Sequence, residues 1–114
     1  VDIDPLVESY GDVVVVRLDT EELDARNARE VADRIGRIFT KGKQVILDMA
    51  DVRFVDSSGC GAILSCFHQL QALDGELKLT DVQKPVRQVF ELLKLHRIVE
   101  IHENRESAIR SCHL

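Results

Sequence analysis

Val45-Ile46-Leu47-Asp48, then Val52-Arg53-Phe54-Val55, then Asp56-Ser57-Ser58-Gly59-Cys60-Gly61: the fold turns on how this stretch is read. Val45-Ile46-Leu47 is a short apolar run of strand type, and Val52, Phe54 and Val55 carry the chain on to Asp56. Beyond the serines, Ala62, Ile63, Leu64, Cys66, Phe67, Leu70 and Leu73 recur at helical spacing. Two serines therefore stand where a strand hands over to a helix. The first turn of a helix leaves backbone N–H groups without partners and carries partial positive charge, so it attracts anions. A phosphate suits this position, whether bound as a ligand or attached covalently.

Working outward, Val13-Val14-Val15-Val16 continuing to Leu18 is β-branched and dense, which predicts a strand. Tyr10-Gly11-Asp12 before it is a turn signal, with Leu6 to Tyr10 as its hairpin partner. From Asp24 to Phe39 the period changes. Ala28, Val31, Ala32, Ile35 and Ile38 line one helix face, and arginines and acids give the rest a wet side. Lys41-Gly42-Lys43 is the expected helix end. Gln44 to Met49 reads as the next strand, and Ser58 to Leu73 as the helix after the serine turn. Asp74-Gly75 turns the chain into a strand around Leu77 and Leu79, and Pro85 opens a helix carrying Val86, Val89 and Phe90. Ile98 to Ile101 and Glu103 to Cys112 complete the series as strand and helix. Such alternation predicts an α/β fold: a small mixed, mostly parallel sheet of four to five strands packed with about four helices.

Composition narrows the functional classes. The 114 residues suit one domain, residues 1–114, with a single modest core. With 4% aromatic residues and no Trp, that core must be aliphatic. A net charge of −5 argues against direct nucleic-acid binding, which needs clustered Lys and Arg. Apolar runs fall far short of the roughly 20 residues that span a bilayer, so no membrane insertion is expected. Cys60, Cys66 and Cys112 form no CxxC pair and read as reduced thiols of a cytoplasmic protein. Combined with His68, His96, His102 or His113 they lack the spacing of a zinc site. No GxxxxGK[ST] loop is present for a nucleotide, and no cofactor is expected.

The simplest role for the serines is helix capping, which Ser57 or Ser58 would do well. Two details point further. Gly59 and Gly61 both fall in the first turn, where each costs about 0.8–1 kcal/mol relative to Ala, and no Glu or Gln completes a capping box. Glycines there permit close approach by another backbone, a phosphate or a protein partner. Asp56 adjoins a hydroxyl that, once phosphorylated, gains about −1.5 to −2 of charge. At about 5 Å and an effective dielectric near 20, each unit-charge repulsion is about 3 kcal/mol before screening. That is enough to reverse docking of a partner that presents acidic groups. Enzymatic use of Ser57 or Cys60 would need a nearby base. His68 stands well down the same helix, at about 1.5 Å per residue, out of reach of Ser57. The chain reads as a non-enzyme.

These residues resemble those of the STAS domains, and most closely the bacterial anti-sigma-factor antagonists. The resemblance rests on Glu22-Leu23-Asp24-Ala25, on Val45-Ile46-Leu47-Asp48 leading into Phe54-Val55-Asp56-Ser57-Ser58-Gly59, on Lys84-Pro85-Val86-Arg87-Gln88-Val89-Phe90 and on Leu95-His96-Arg97-Ile98. It implies a STAS-like fold and a phosphorylation site at Ser57. It implies an unmodified form that binds an anti-sigma factor, itself a GHKL-type serine kinase, and a phosphorylated form that is released. A metal-dependent serine phosphatase would reset it. It further implies that Asp24, Asp56, Ser57, Ser58 and Gly59 form one contiguous partner-binding patch. Three positions depart from the family pattern: Glu21 and Lys94 stand where Gly is usual, and Cys60 replaces Leu. The competing implication is a STAS scaffold or accessory subunit of a stress-signalling assembly or of a lipid or anion transport complex.

Overall fold

The computed structural model describes residues 7–112. Leu6 of the expected hairpin and His113 lie outside them. Seven strands and four helices follow in the order β1 (Val7–Tyr10), β2 (Val13–Arg17), β3 (Glu22–Leu23), α1 (Ala28–Gly36), β4 (Gln44–Asp48), β5 (Phe54–Val55), α2 (Ser57–Ala72), β6 (Glu76–Thr80), α3 (Lys84–Leu92), β7 (Glu100–His102) and α4 (Arg105–Ser111). The main sheet has five strands in the order β1-β2-β4-β6-β7. β1 runs antiparallel to β2, and the other three pairings are parallel. The expected mixed, mostly parallel sheet with four helices is what forms.

The two faces of this sheet explain the valine run. Val14, Val16, Val45, Leu47, Leu77 and Leu79 face the core shared with Ile35 of α1, Ile63, Cys66 and Leu70 of α2 and Phe90 of α3. Val13, Val15 and Ile46 face the other way, where Ala108 and Cys112 at the end of the chain cover them. A strand covered on both sides has no polar alternation to show, so four consecutive valines are buried. Beyond this small apolar patch the α4 side is polar. Buried Lys78 donates to the Ser111 hydroxyl (2.7 Å) and carbonyl (3.2 Å), and Arg105 Nε donates to buried Asp48 (2.7 Å).

Several boundaries differ from expectation. The first helix starts at Ala28 rather than Asp24, because residues 24–27 fold into a side-chain-bonded turn. It ends at Gly36, so Lys41-Gly42-Lys43 is not its terminus; Gly42, at φ +76°, instead shapes the turn into β4. The last strand runs Glu100–His102 rather than Ile98–Ile101, because a 3-10 turn occupies Leu95–Arg97. β3 and β5 were not foreseen as strands. They pair in parallel as a separate two-stranded ribbon, Glu22 opposite Phe54 and Leu23 opposite Val55.

Candidate functional site

The ribbon of β3 and β5 builds the site. Leu23 and Val55 point inward and are buried, while Glu22 and Phe54 point outward, with Phe54 51% exposed. Each strand then leaves the ribbon at an aspartate, Asp24 on one side and Asp56 on the other. The two exits stay in contact, since the Ala25 N–H donates to Asp56 Oδ2 at 3.2 Å.

Asp56, not a serine, caps α2. Its backbone is extended (φ −113°, ψ −172°) and its Oδ1 accepts from the Gly59 N–H at 2.9 Å, while its carbonyl accepts from Cys60 N at 3.0 Å. One carboxylate thereby satisfies the helix terminus with one oxygen and the β3 exit with the other. The expected capping by Ser57 or Ser58 does not occur, because an acid one residue earlier already occupies that role. Ser57 and Ser58 begin the helix, both exposed, and neither hydroxyl makes a hydrogen bond among the described residues.

The glycines separate. Gly59 is buried beneath the ribbon, and a β-carbon there would drive into the Leu23 carbonyl and sit 2.6 Å from Val55 Cγ2. Its close approach is therefore to the chain's own backbone. Gly61 is exposed, and a β-carbon there would meet nothing within 4 Å. Cys60 is buried, and desolvation, with a smaller push from the Asp56 charge, raises its thiol to about 11. At neutral pH it holds its proton, which makes it a packing residue rather than a nucleophile.

Asp24 is brought beside Asp56 but presents little free carboxylate. Its side chain is 12% exposed and is covered by Arg26. Oδ1 accepts from the Arg26 N–H (3.0 Å) and Nε (3.2 Å), and Oδ2 accepts from Arg26 Nη2 (2.8 Å). The side-chain bonds from Arg26 hold the Asp24 carboxyl below its ordinary value and raise the guanidinium in turn. Arg26 Nη2 also meets Glu22. The Asp24 carbonyl accepts from Asn27 N (3.1 Å) and Ala28 N (2.8 Å), which launches α1. Sequence reasoning read Arg26 as one of the arginines on the wet side of the first helix, whereas it precedes that helix. The available signal was its spacing, a cation two residues after Asp24 and four after Glu22 in a polar stretch. The departing Glu21 pairs with Arg53 at 3.3 Å on the ribbon's far end. Among the described residues no three His, Cys, Asp or Glu side chains converge to hold a metal ion, and no helix is long and apolar enough to cross a membrane.

Comparison with known proteins places this architecture. The anti-sigma F factor antagonist of Paenibacillus polymyxa is 28% identical over 105 residues, spanning 90% of this chain and 89% of that protein. The structure of the anti-sigma factor antagonist SpoIIAA in its unphosphorylated form superposes with a TM-score of 0.71 at 26% identity, covering 92% of this chain and 93% of that one. The murine anion transporter Slc26a9, in its inward-facing state, matches with a TM-score of 0.79 over 91% of this chain but only 18% of the transporter; at 16% identity the likeness is one of fold. The family model described as the STAS domain matches residues 4–108, and the chain belongs to the STAS domain family.

Proposed function

We propose that this protein is an anti-sigma-factor antagonist, residues 1–114 acting as one domain, and that its binding is switched by phosphorylation of Ser57. Unmodified, it docks an anti-sigma factor that is also a GHKL-type serine kinase, through the surface around Asp24, Asp56, Ser57, Ser58 and Gly59. Gly59 contributes by letting the ribbon close, and the exposed atoms come from its neighbours. The kinase ends the interaction. Ser57 Oγ attacks the γ-phosphorus of ATP, the bond from that phosphorus to the bridging oxygen breaks, ADP leaves, and the hydroxyl proton passes to a base on the kinase or to water. A serine phosphatase reverses the state by hydrolysing the phosphoester.

The observation that carries this reading is the division of labour at the helix start. Asp56 does the capping, which leaves the Ser57 hydroxyl exposed and without a hydrogen bond to lose. A phosphate there meets the positive end of α2, so the host tolerates the new charge. A partner bringing acidic groups to the same surface meets repulsion of about 3 kcal/mol per unit charge at 5 Å, before screening. The relatives named as antagonists favour this role over that of a transporter accessory unit.

The test is incubation with the cognate kinase and ATP, with the product mapped by mass spectrometry and its affinity for that kinase measured. Ser57→Ala is expected to fold normally and bind constitutively, and Ser57→Glu to bind more weakly. Phosphate found only elsewhere, or unaltered affinity after modification of Ser57, would overturn the reading.

A further inference from the structure

We infer that Arg26 is an internal receiver for the Ser57 phosphate: it guards Asp24 and Glu22 in the unmodified chain and moves onto the phosphate when Ser57 is modified. The inference rests on Ser57 as the modified residue but not on any partner.

The ends of the ribbon supply the geometry. Leu23 and Val55 are its last pair, so the chain leaves it at Asp24 on one side and at Asp56, the neighbour of Ser57, on the other. The bond from Ala25 N–H to Asp56 Oδ2, at 3.2 Å, holds the two exits together at that point. Arg26 follows Ala25 directly, so its side chain springs from the residue next to the backbone N–H that is bonded to Asp56, the neighbour of Ser57. Its side chain is 75% exposed, so no packing prevents it from swinging. Its Nε and Nη2 hold the carboxylates while Nη1 makes no hydrogen bond among the described residues.

Charge supplies the direction. The unmodified site gathers three carboxylates, Glu22, Asp24 and Asp56, and Arg26 bridges two of them. A phosphoserine dianion offers a guanidinium more charge and three strong acceptor oxygens, against two on a carboxylate. The alternative cation, Arg53, is engaged by Glu21 at the ribbon's opposite end, four residues before Ser57. Once Arg26 leaves, the Asp24 and Glu22 carboxylates lose their cover. The modification then adds negative charge at Ser57 and uncovers more beside it, although only one residue has been altered.

Phosphoserine installed at position 57 by genetic encoding tests this without a kinase, so failure here is distinct from failure of the kinase reading. The probe is 31P NMR titration of that phosphate. In the parent sequence its second protonation midpoint is expected to lie roughly half to one pH unit below that in Arg26→Ala, because the guanidinium favours the dianion. Arg26→Lys should recover part of the difference, and Arg53→Ala should leave it intact. The Asp24 carboxyl, followed by carbon NMR, should titrate at higher pH after phosphorylation than before. Equal phosphate midpoints in the parent and Arg26→Ala proteins would overturn the inference. So would a shift abolished by Arg53→Ala, or an Asp24 midpoint that phosphorylation does not raise.

Discussion

A carboxylate with two oxygens can serve two masters, and Asp56 does so. Oδ1 caps α2 through Gly59 N and Oδ2 holds the β3 exit through Ala25 N. Asp56→Ala should therefore cost about 1–2 kcal/mol in urea unfolding. Asp56→Asn, which keeps an acceptor for one donor, should cost less. A cost for Asp56→Ala within error of zero would show that the cap is idle. Three and five residues on, two glycines of the same helix should respond oppositely to alanine. Gly59→Ala pushes a methyl into the Leu23 carbonyl and the Val55 side chain, and should destabilise by about 3 kcal/mol while prising the ribbon apart. Gly61→Ala enters open space and should stabilise by up to about 1 kcal/mol through helix propensity. Chemical denaturation of the pair decides the matter, and equal effects of one sign would contradict the packing described.

At the scale of elements, the junction between α3 and β7 carries stored strain. Lys94 adopts a left-handed conformation (φ +64°, ψ +21°) just before the 3-10 turn at Leu95–Arg97. A residue with a β-carbon pays for that region while glycine does not. Lys94→Gly should raise stability by about 0.5–1 kcal/mol, the conformational relief being partly offset by greater freedom in the unfolded chain; an unchanged or lowered thermal midpoint would count against it. This strain was legible as a departure from family pattern, for Gly is usual there. The helices and main strands were legible too, since each long enough run of apolar residues declares its period. The β3–β5 ribbon was not. Two residues per strand give no period, and Phe54 and Val55 read equally well as the approach to Asp56. The early helix boundary failed for a related reason. Apolar spacing sees faces, whereas the turn from Asp24 to Asn27 is fixed by polar bonds that only the folded chain reveals. The handover from strand to helix at Ser57 was legible from the apolar runs around it, but the cap was not, because Asp and Ser cap comparably and the extended backbone of Asp56 decides between them.

For the molecule as a whole, acid should be the weak side. Hydrogen bonds to cationic or polar partners hold several carboxyls below their ordinary values: Glu8 by Arg105, Asp24 by Arg26, Asp51 by Arg17 and Glu100 by His102. A depressed carboxyl contributes stability that is present above its unfolded value and is lost as pH falls through its folded value. The thermal midpoint should therefore stay level from neutrality to about pH 5 and fall below about pH 4. Circular dichroism melts across that range test the sign, and a midpoint that climbs on acidification would refute it. On the same scale, the ribbon is separate in pairing but not in packing. Its four residues share no strand with the main sheet, yet Leu23 and Val55 lie in the same core. Substitutions at the outward residues, Glu22 and Phe54, can therefore alter the face it presents, whereas those at the inward pair unsettle the whole.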